Sequence, residues 1–181
     1  GAGPTEVVEL ERGVVEASEF FHAPGTNPLR DPRVTLVVGD ARTHLAHTRA
    51  KYGLIVSEPS NPWIAGVNNL FTVDFYRRVK DRLEPDGVFC QWMQLYEISP
   101  ETSRSMMASF LEVFPEGEVF TIWRAVDVLL VAKPAGRALS LERLRSPEAR
   151  RTALTRSSGF FASRAALVAI TRMAEASCSR A

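Results

Sequence analysis

The sequence predicts an α/β domain built on a mostly parallel, doubly wound sheet that closes with an antiparallel hairpin. Three observations carry this. Short β-branched apolar runs alternate with helical patterns from Thr5 to about residue 114. Proline- and glycine-rich punctuation separates them. The last two runs, VFTIW (119–123) and VDVLLVA (126–132), are joined by only two residues, which implies an antiparallel pair. The chain has 181 residues, 45% of them hydrophobic, and a net charge of +1. That is one ordinary domain, apolar enough to bury a core, and it excludes global disorder.

The elements follow in order. TEVVEL (5–10) reads as a short buried strand, and Val14, Val15, Ala17, Phe20 and Phe21 follow at helical spacings. The next loop, HAPGTNPLRDP, holds three prolines and a glycine and is irregular. RVTLVV (33–38) is a buried strand that stops at Gly39-Asp40, and residues 41–50 suit a helix. YGLIVS (52–57) is another buried strand, followed by the loop EPSNPWIAGVNN. In LFTVDFYRRVKDRL (70–83), Phe71, Phe75, Val79 and Leu83 share one helical face. Pro85-Asp86-Gly87 turns into the strand VFCQWMQ. Ser99 as N-cap and Pro100 at the first position open a helix that runs to Phe110 or Phe114.

Charge is unevenly placed. Residues 1–136 hold 13 basic and 18 acidic side chains, whereas residues 137–181 hold 9 arginines and 3 glutamates. The composition shift marks a boundary near Gly136, with a basic tail beyond it. Leu139, Leu141 and Leu144, then Ala165 to Ile170, predict two short helices there. No aromatic interleaving or RNA-binding motif accompanies the arginines, so nucleic acid is not an expected partner. Apolar runs fall far short of the ~20 residues a membrane helix needs, and no signal peptide pattern is present. Cys90 and Cys178 are too few for a disulfide framework or a zinc site, which fits a reducing, cytoplasmic setting. The chain starts at Gly1 and not at methionine, so it is expected to begin inside a longer product or after processing.

In open α/β sheets ligands bind at the carboxyl ends of strands, so the residues ending strands are the functional candidates. A hairpin that places one antiparallel strand in such a sheet suggests the nucleoside-binding, methyltransferase-like variant. Glu9 and Glu11 end the first strand, where an acid can accept both hydroxyls of a ribose. Asp40 ends the second in the string Gly39-Asp40-Ala41, where a carboxylate can accept from an adenine amino group, although such residues often serve only as helix N-caps. Glu58-Pro59-Ser60-Asn61-Pro62-Trp63 presents a carboxylate, a hydroxyl and an amide on a proline-stiffened loop. Glu58 can hold or deprotonate a cationic amine, and Asn61 can hydrogen-bond it without neutralising it. Gln91 to Gln94 end the next strand. His44 and His47 stand three apart on a helix, a spacing that can bind metal, but no third ligand is evident and no metal is expected. Neither a G-x-S-x-G elbow nor a P-loop is present.

Read together, VELERGVVEASEFF, RVTLVVGDA, YGLIVSEPSNPW, NLFTVDFYRRVKDRLEPDGVFCQWMQ and DVLLVAKP resemble the spermidine synthase (polyamine aminopropyltransferase) family over residues 5–134. SEPSNPW followed by AG and LFT looks most like the bacterial spermidine synthase-like branch, some of whose members carry an attached membrane transporter-like region. The resemblance implies a Rossmann-like S-adenosylmethionine-dependent methyltransferase fold and decarboxylated S-adenosylmethionine as co-substrate, with no metal. It implies ribose binding by Glu9 with Glu11 beside it, and adenine contacts at Asp40 and Ala41. Glu58 would be the catalytic, amine-binding base, with Ser60, Asn61 and Gln91 lining the amine site. The partners implied are a polyamine such as putrescine, a nucleoside and, as in many relatives, a second copy of the chain.

Two departures shape what is expected. Glu58 and Asn61 stand where the family has aspartates, so the arm is one methylene longer and one charge is lost. A doubly charged polyamine should be held less well. The family's first strand and glycine-rich loop would precede Thr5, in the slot between the first strand and YGLIVS. The sheet is therefore expected to lack a central element and to bind cofactor weakly at best. A methyltransferase and a non-catalytic nucleoside- or polyamine-binding fragment are the alternatives.

Overall fold

The structure is a computed structural model that describes residues 3–23, 25–60, 62, 64–122 and 127–134, together with the backbone of Leu167–Thr171. The strands are β1 (Thr5–Glu9), β2 (Val34–Val38), β3 (Tyr52–Glu58), β4 (Leu83–Gln94), β5 (Glu118–Ile122), β6 (Asp127–Ala132) and β7 (Leu167–Thr171). The helices are α1 (Arg12–Ala17), α2 (Ala41–His47), α3 (Val73–Arg82) and α4 (Pro100–Val113).

The helices start where polar side chains satisfy their free amides. Asp40 accepts from the Arg42 amide, Thr72 from that of Phe75, and Ser99 from that of Thr102 with Pro100 following. Several helical expectations shorten. The run 14–21 becomes α1 and a single 3₁₀ turn, Ser18–Phe20. The helix expected over 41–50 stops at His47, where Thr48 turns extended. The pattern 70–83 splits at Thr72, because Val67–Phe71 is a 3₁₀ segment. Pro85-Asp86-Gly87 is not a turn outside the sheet but an irregularity within β4. Tyr52 pairs with Leu83 and Leu54 with Val88, so the extra residues bulge outward. Gly87 is required there, since a Cβ would lie 2.8 Å from the Tyr52 carbonyl oxygen.

All seven strands form one sheet in the order β2-β1-β7-β3-β4-β6-β5. The pairs β1/β2 and β3/β4 are parallel, while β4/β6 and β5/β6 are antiparallel, as the hairpin reading expected. The slot between β1 and β3 is where the sequence placed a missing strand, but it is not open. β7 fills it, antiparallel to both neighbours. The helix expected across Ala165–Ile170 is thus corrected: Leu167–Thr171 is a strand, because its pairing satisfies two otherwise bare backbone edges. The rest of the basic tail lies outside the described residues. Among the described residues no helix is long and apolar enough to cross a membrane.

One face of the sheet is fully covered. Ile55, Phe89, Met93, Val128 and Leu130 pack beneath α3 and α4 on Phe75, Tyr76, Phe110 and Phe114. The rings sit 5.5–6.5 Å apart, several edge to face. Phe71, Phe75, Val79 and Leu83 are all buried, as their shared helical face predicted. The alternate residues Leu54, Val56, Cys90, Trp92, Leu129 and Val131 point to the other face and are only partly covered.

Because β7 donates to strands on both sides, its amides should exchange with solvent as slowly as those of β3. Hydrogen exchange read residue by residue tests this, and rapid exchange across 167–171 would remove β7 from the sheet.

Candidate active site

The register of β7 brings Glu9 and Glu58 together. Val8 and Ser57 both pair with Val168, and Glu58 pairs with Leu167. Glu9, one residue beyond Val8, reaches the same level. Val8 belongs to the covered core, and Ser57 hydrogen-bonds into it through Gln91. By alternation Glu9 and Glu58 therefore share the opposite face, in one row, about 10 Å apart across two strand spacings.

Both carboxylates have unmet capacity. Glu9 is buried; its Oε1 accepts from the Glu11 amide at 2.9 Å, while Oε2 is buried with no partner among the described residues. Burial pushes its carboxyl upward against the opposing pull of the Glu11 and Leu10 amides. Glu58 ends β3 half-buried without a side-chain hydrogen bond among the described residues, and burial alone raises its carboxyl. Two acids in poor solvent with free lone pairs are an arrangement that polar hydrogens on a cationic ligand would relieve.

The other sequence candidates divide. Asp40 lies at the same sheet edge, where the Gly39 amide donates to the Glu9 carbonyl, but its carboxylate is exposed and caps α2, accepting from the Arg42 amide and the Thr43 hydroxyl. Ala41 is buried in the first turn behind it. A shallow depression of about 450 Å³ beside Asp40 is lined by Val37, Thr43, His44 and His47, and includes neither Glu9 nor Glu58. Glu11 is exposed and contributes its backbone amide. Ser60 follows buried Pro59 and is partly exposed. Asn61 and Trp63 lie outside the described residues. His44 faces Glu6 and the Tyr52 hydroxyl near the opposite ends of the strands, and His47 Nδ1 lies 2.8 Å from the Thr43 carbonyl. Among the described residues no three ligating side chains gather.

Gln91 is corrected. It sits in phase with Phe89 and Met93 and points into the covered core. There it accepts from the Tyr76 hydroxyl at 2.7 Å and donates to Ser57 Oγ at 3.2 Å and the Leu70 carbonyl at 3.0 Å. Its amide is saturated on the side away from Glu58. The glutamine on the face of Glu58 is Gln94, fully buried with neither amide atom hydrogen-bonded among the described residues. Gln94 is in phase with Cys90 and Trp92, which are partly covered, and Gln91 with Phe89 and Met93, which are fully buried.

Residues 3–125 match the family model described as the spermine/spermidine synthase domain. The chain belongs to the spermine/spermidine synthase family. It is 29% identical over 115 residues to a polyamine aminopropyltransferase of Bacillus mycoides, a match covering 64% of this chain and 42% of that protein. It is 30% identical over 122 residues to putrescine N-methyltransferase 2 of Nicotiana tabacum, covering 67% and 34%. The chain thus spans well under half the length of these curated relatives. A spermidine synthase solved with the transition-state analogue AdoDATO superposes with a TM-score of 0.63 at 19% identity, over 80% of this chain and 50% of that one. The family's methyltransferase-like α/β fold is therefore the fold of this chain.

The two glutamines should respond oppositely to the same substitution. Gln91→Met strands three partners and should cost about 1–3 kcal/mol in a denaturant titration, whereas Gln94→Met removes two unmet atoms and should be neutral or stabilising. Equal losses would contradict the assignment of faces.

Proposed function

We propose that this chain carries the catalytic half of a polyamine aminopropyltransferase, moving an aminopropyl group from decarboxylated S-adenosylmethionine to an amine such as putrescine. The observation that carries the reading is the row formed by Glu9 and Glu58, both desolvated and both with free acceptors. Family membership supports the chemistry, and the two curated relatives share a polyamine acceptor in their names while differing in the group transferred.

Glu9 takes the ribose hydroxyls: its free Oε2 is an acceptor awaiting a donor, and Oε1 is held in place by the Glu11 amide. Asp40 reaches the adenine amino group with the acceptor capacity its cap leaves over, with Ala41 behind it. Ser60 follows Glu58 on the loop and lines the amine's surroundings, and Asn61 is next in the sequence. Gln94 replaces Gln91 as the glutamine of that site.

Glu58 holds the attacking ammonium and takes its proton. Burial raises its proton affinity, which suits a base. The freed amine nitrogen attacks the methylene next to the sulfonium. A carbon–nitrogen bond forms as the carbon–sulfur bond breaks, and the electron pair stays on sulfur, leaving neutral methylthioadenosine. The sulfonium is a good leaving group, so alignment and one base carry most of the work.

Methyl transfer to the same amine is the second reading, favoured by the tobacco relative. Donor choice separates the two: turnover with decarboxylated S-adenosylmethionine supports aminopropyl transfer, and turnover with S-adenosylmethionine alone supports methylation. Glu58→Gln should lower kcat by roughly 100-fold or more. Activity that survives this change removes Glu58 from the base role.

The same substitution should raise thermal stability at pH 7. A carboxyl whose folded value is raised penalises the fold above that value, and the penalty vanishes below its ordinary 4.5. Melting curves of both proteins at pH 7 and pH 4 should therefore differ at the higher pH and coincide at the lower.

A further inference from the structure

β2 is an outer strand of the sheet, and its free edge is unguarded. Val34–Val38 holds no charge, proline or bulge, whereas β5 at the other edge begins with Glu118. A bare edge of this kind is a template for another strand. Local hydrogen bonds show which groups it offers. The Thr5 amide donates to the Arg33 carbonyl and the Gly39 amide to the Glu9 carbonyl, both at 2.9 Å. The odd-numbered residues thus turn their backbone toward β1, and Val34, Leu36 and Val38 turn theirs outward. The Asp31 carbonyl takes the Val34 amide. Among the described residues the Leu36 and Val38 amides, and the carbonyls of all three, meet no backbone partner.

The strand is also complementary to itself. Antiparallel pairing about a two-fold axis at Leu36 would set Leu36 against the partner's Leu36 and Val34 against the partner's Val38. The two Leu36 residues would then exchange both backbone bonds, and each Val38 amide would reach the partner's Val34 carbonyl. Faces match as well. Val8 of the covered core pairs with Val37, so Thr35 and Val37 stand on the helix side and Val34, Leu36 and Val38 on the other. On that other face only apolar side chains would meet, covering Val38, which is 42% exposed. On the helix side the partner's Thr35 would come against Val37, at the depression of about 450 Å³ lined by Val37, Thr43 and His47. Charge fits the same direction. Arg33 just precedes the strand and Asp40 closely follows it, both exposed, so reversal places each arginine beside the partner's Asp40. The Glu19–Arg30 ion pair at 2.8 Å ties the turn bearing Phe20 to the segment entering β2, and Phe20 and Phe21 add exposed apolar surface there.

We propose that β2 pairs with β2 of a second copy, antiparallel across a two-fold axis at Leu36, joining the two sheets into one. The pairing is independent of the transfer reaction. Sedimentation equilibrium of the unmodified chain gives twice the chain mass at micromolar concentration. Leu36→Lys brings two ammoniums together at the axis and raises the dimer dissociation constant by about tenfold or more, with the far-ultraviolet circular dichroism unchanged. Crosslinking reads the register without disturbing the edge. With Cys90→Ala and Cys178→Ser removing the native thiols, Leu36→Cys sets two thiols on directly opposed residues about 5.5 Å apart at Cα, and mild oxidation joins the chains. Val38→Cys lies about 13 Å from its copy and stays unjoined. A chain that remains monomeric at every concentration, a dimer that Leu36→Lys leaves intact, or crosslinking at Val38 in preference to Leu36 overturns the interface.

Discussion

Buried backbone groups must be paired, and this requirement organises the whole sheet. β1 and β3 stand one strand apart, each with an inner edge of amides and carbonyls that would otherwise be bare. β7 closes that gap, and its ladder on both sides fixes the level of Glu9 against Glu58. A slip of one residue in either ladder would turn one of the two carboxylates into the core. The antiparallel direction also matters. β7 begins, and does not end, at the edge where the strand-ending acids sit, so no strand-to-helix turn follows it there.

The two faces of the sheet solve the polar problem in opposite ways. On the covered face Gln91, Ser57, Tyr76 and the Leu70 carbonyl close a network with every amide atom used. Low dielectric makes such a network strong and its disruption costly. On the other face Glu9, Gln94 and Asp127 each keep a buried atom without a partner among the described residues. The same low dielectric there makes the atoms expensive to leave unmet and potent once a cation arrives. Among the described residues, paired polar groups are thus concentrated on one side of the sheet and unmet ones on the other.

Much of this was legible in the sequence, and the limits have physical causes. Strand ends are local: the apolar run breaks where a polar turn begins, so Glu9, Asp40 and Glu58 could be placed from residues beside them. Facing is not local. QWMQ offers two glutamines three apart, necessarily on opposite faces, and only phase with Phe89 and Met93 assigns Gln91 to the core. Length of helices was overread at 41–50 and 70–83 because apolar spacing continues past the caps that stop them. β7 was the least legible element. ALVAIT is short, apolar and equally suited to a helix, and what makes it a strand is pairing with residues more than 100 positions away.

Charge completes the argument. In the proposed reaction the donor carries a sulfonium and a primary ammonium and a diamine acceptor carries two ammoniums, so four positive charges would meet at one sheet edge. Glu9, Glu58 and Asp127 are three carboxylates on one face, spaced across the sheet and each raised by burial. Ionising each of them in poor solvent opposes folding, because burial takes the charge out of water. The same three become favourable when matched by cations whose charges lie at comparable spacing. On the proposed reading, a cationic ligand supplies the missing half of that electrostatic balance.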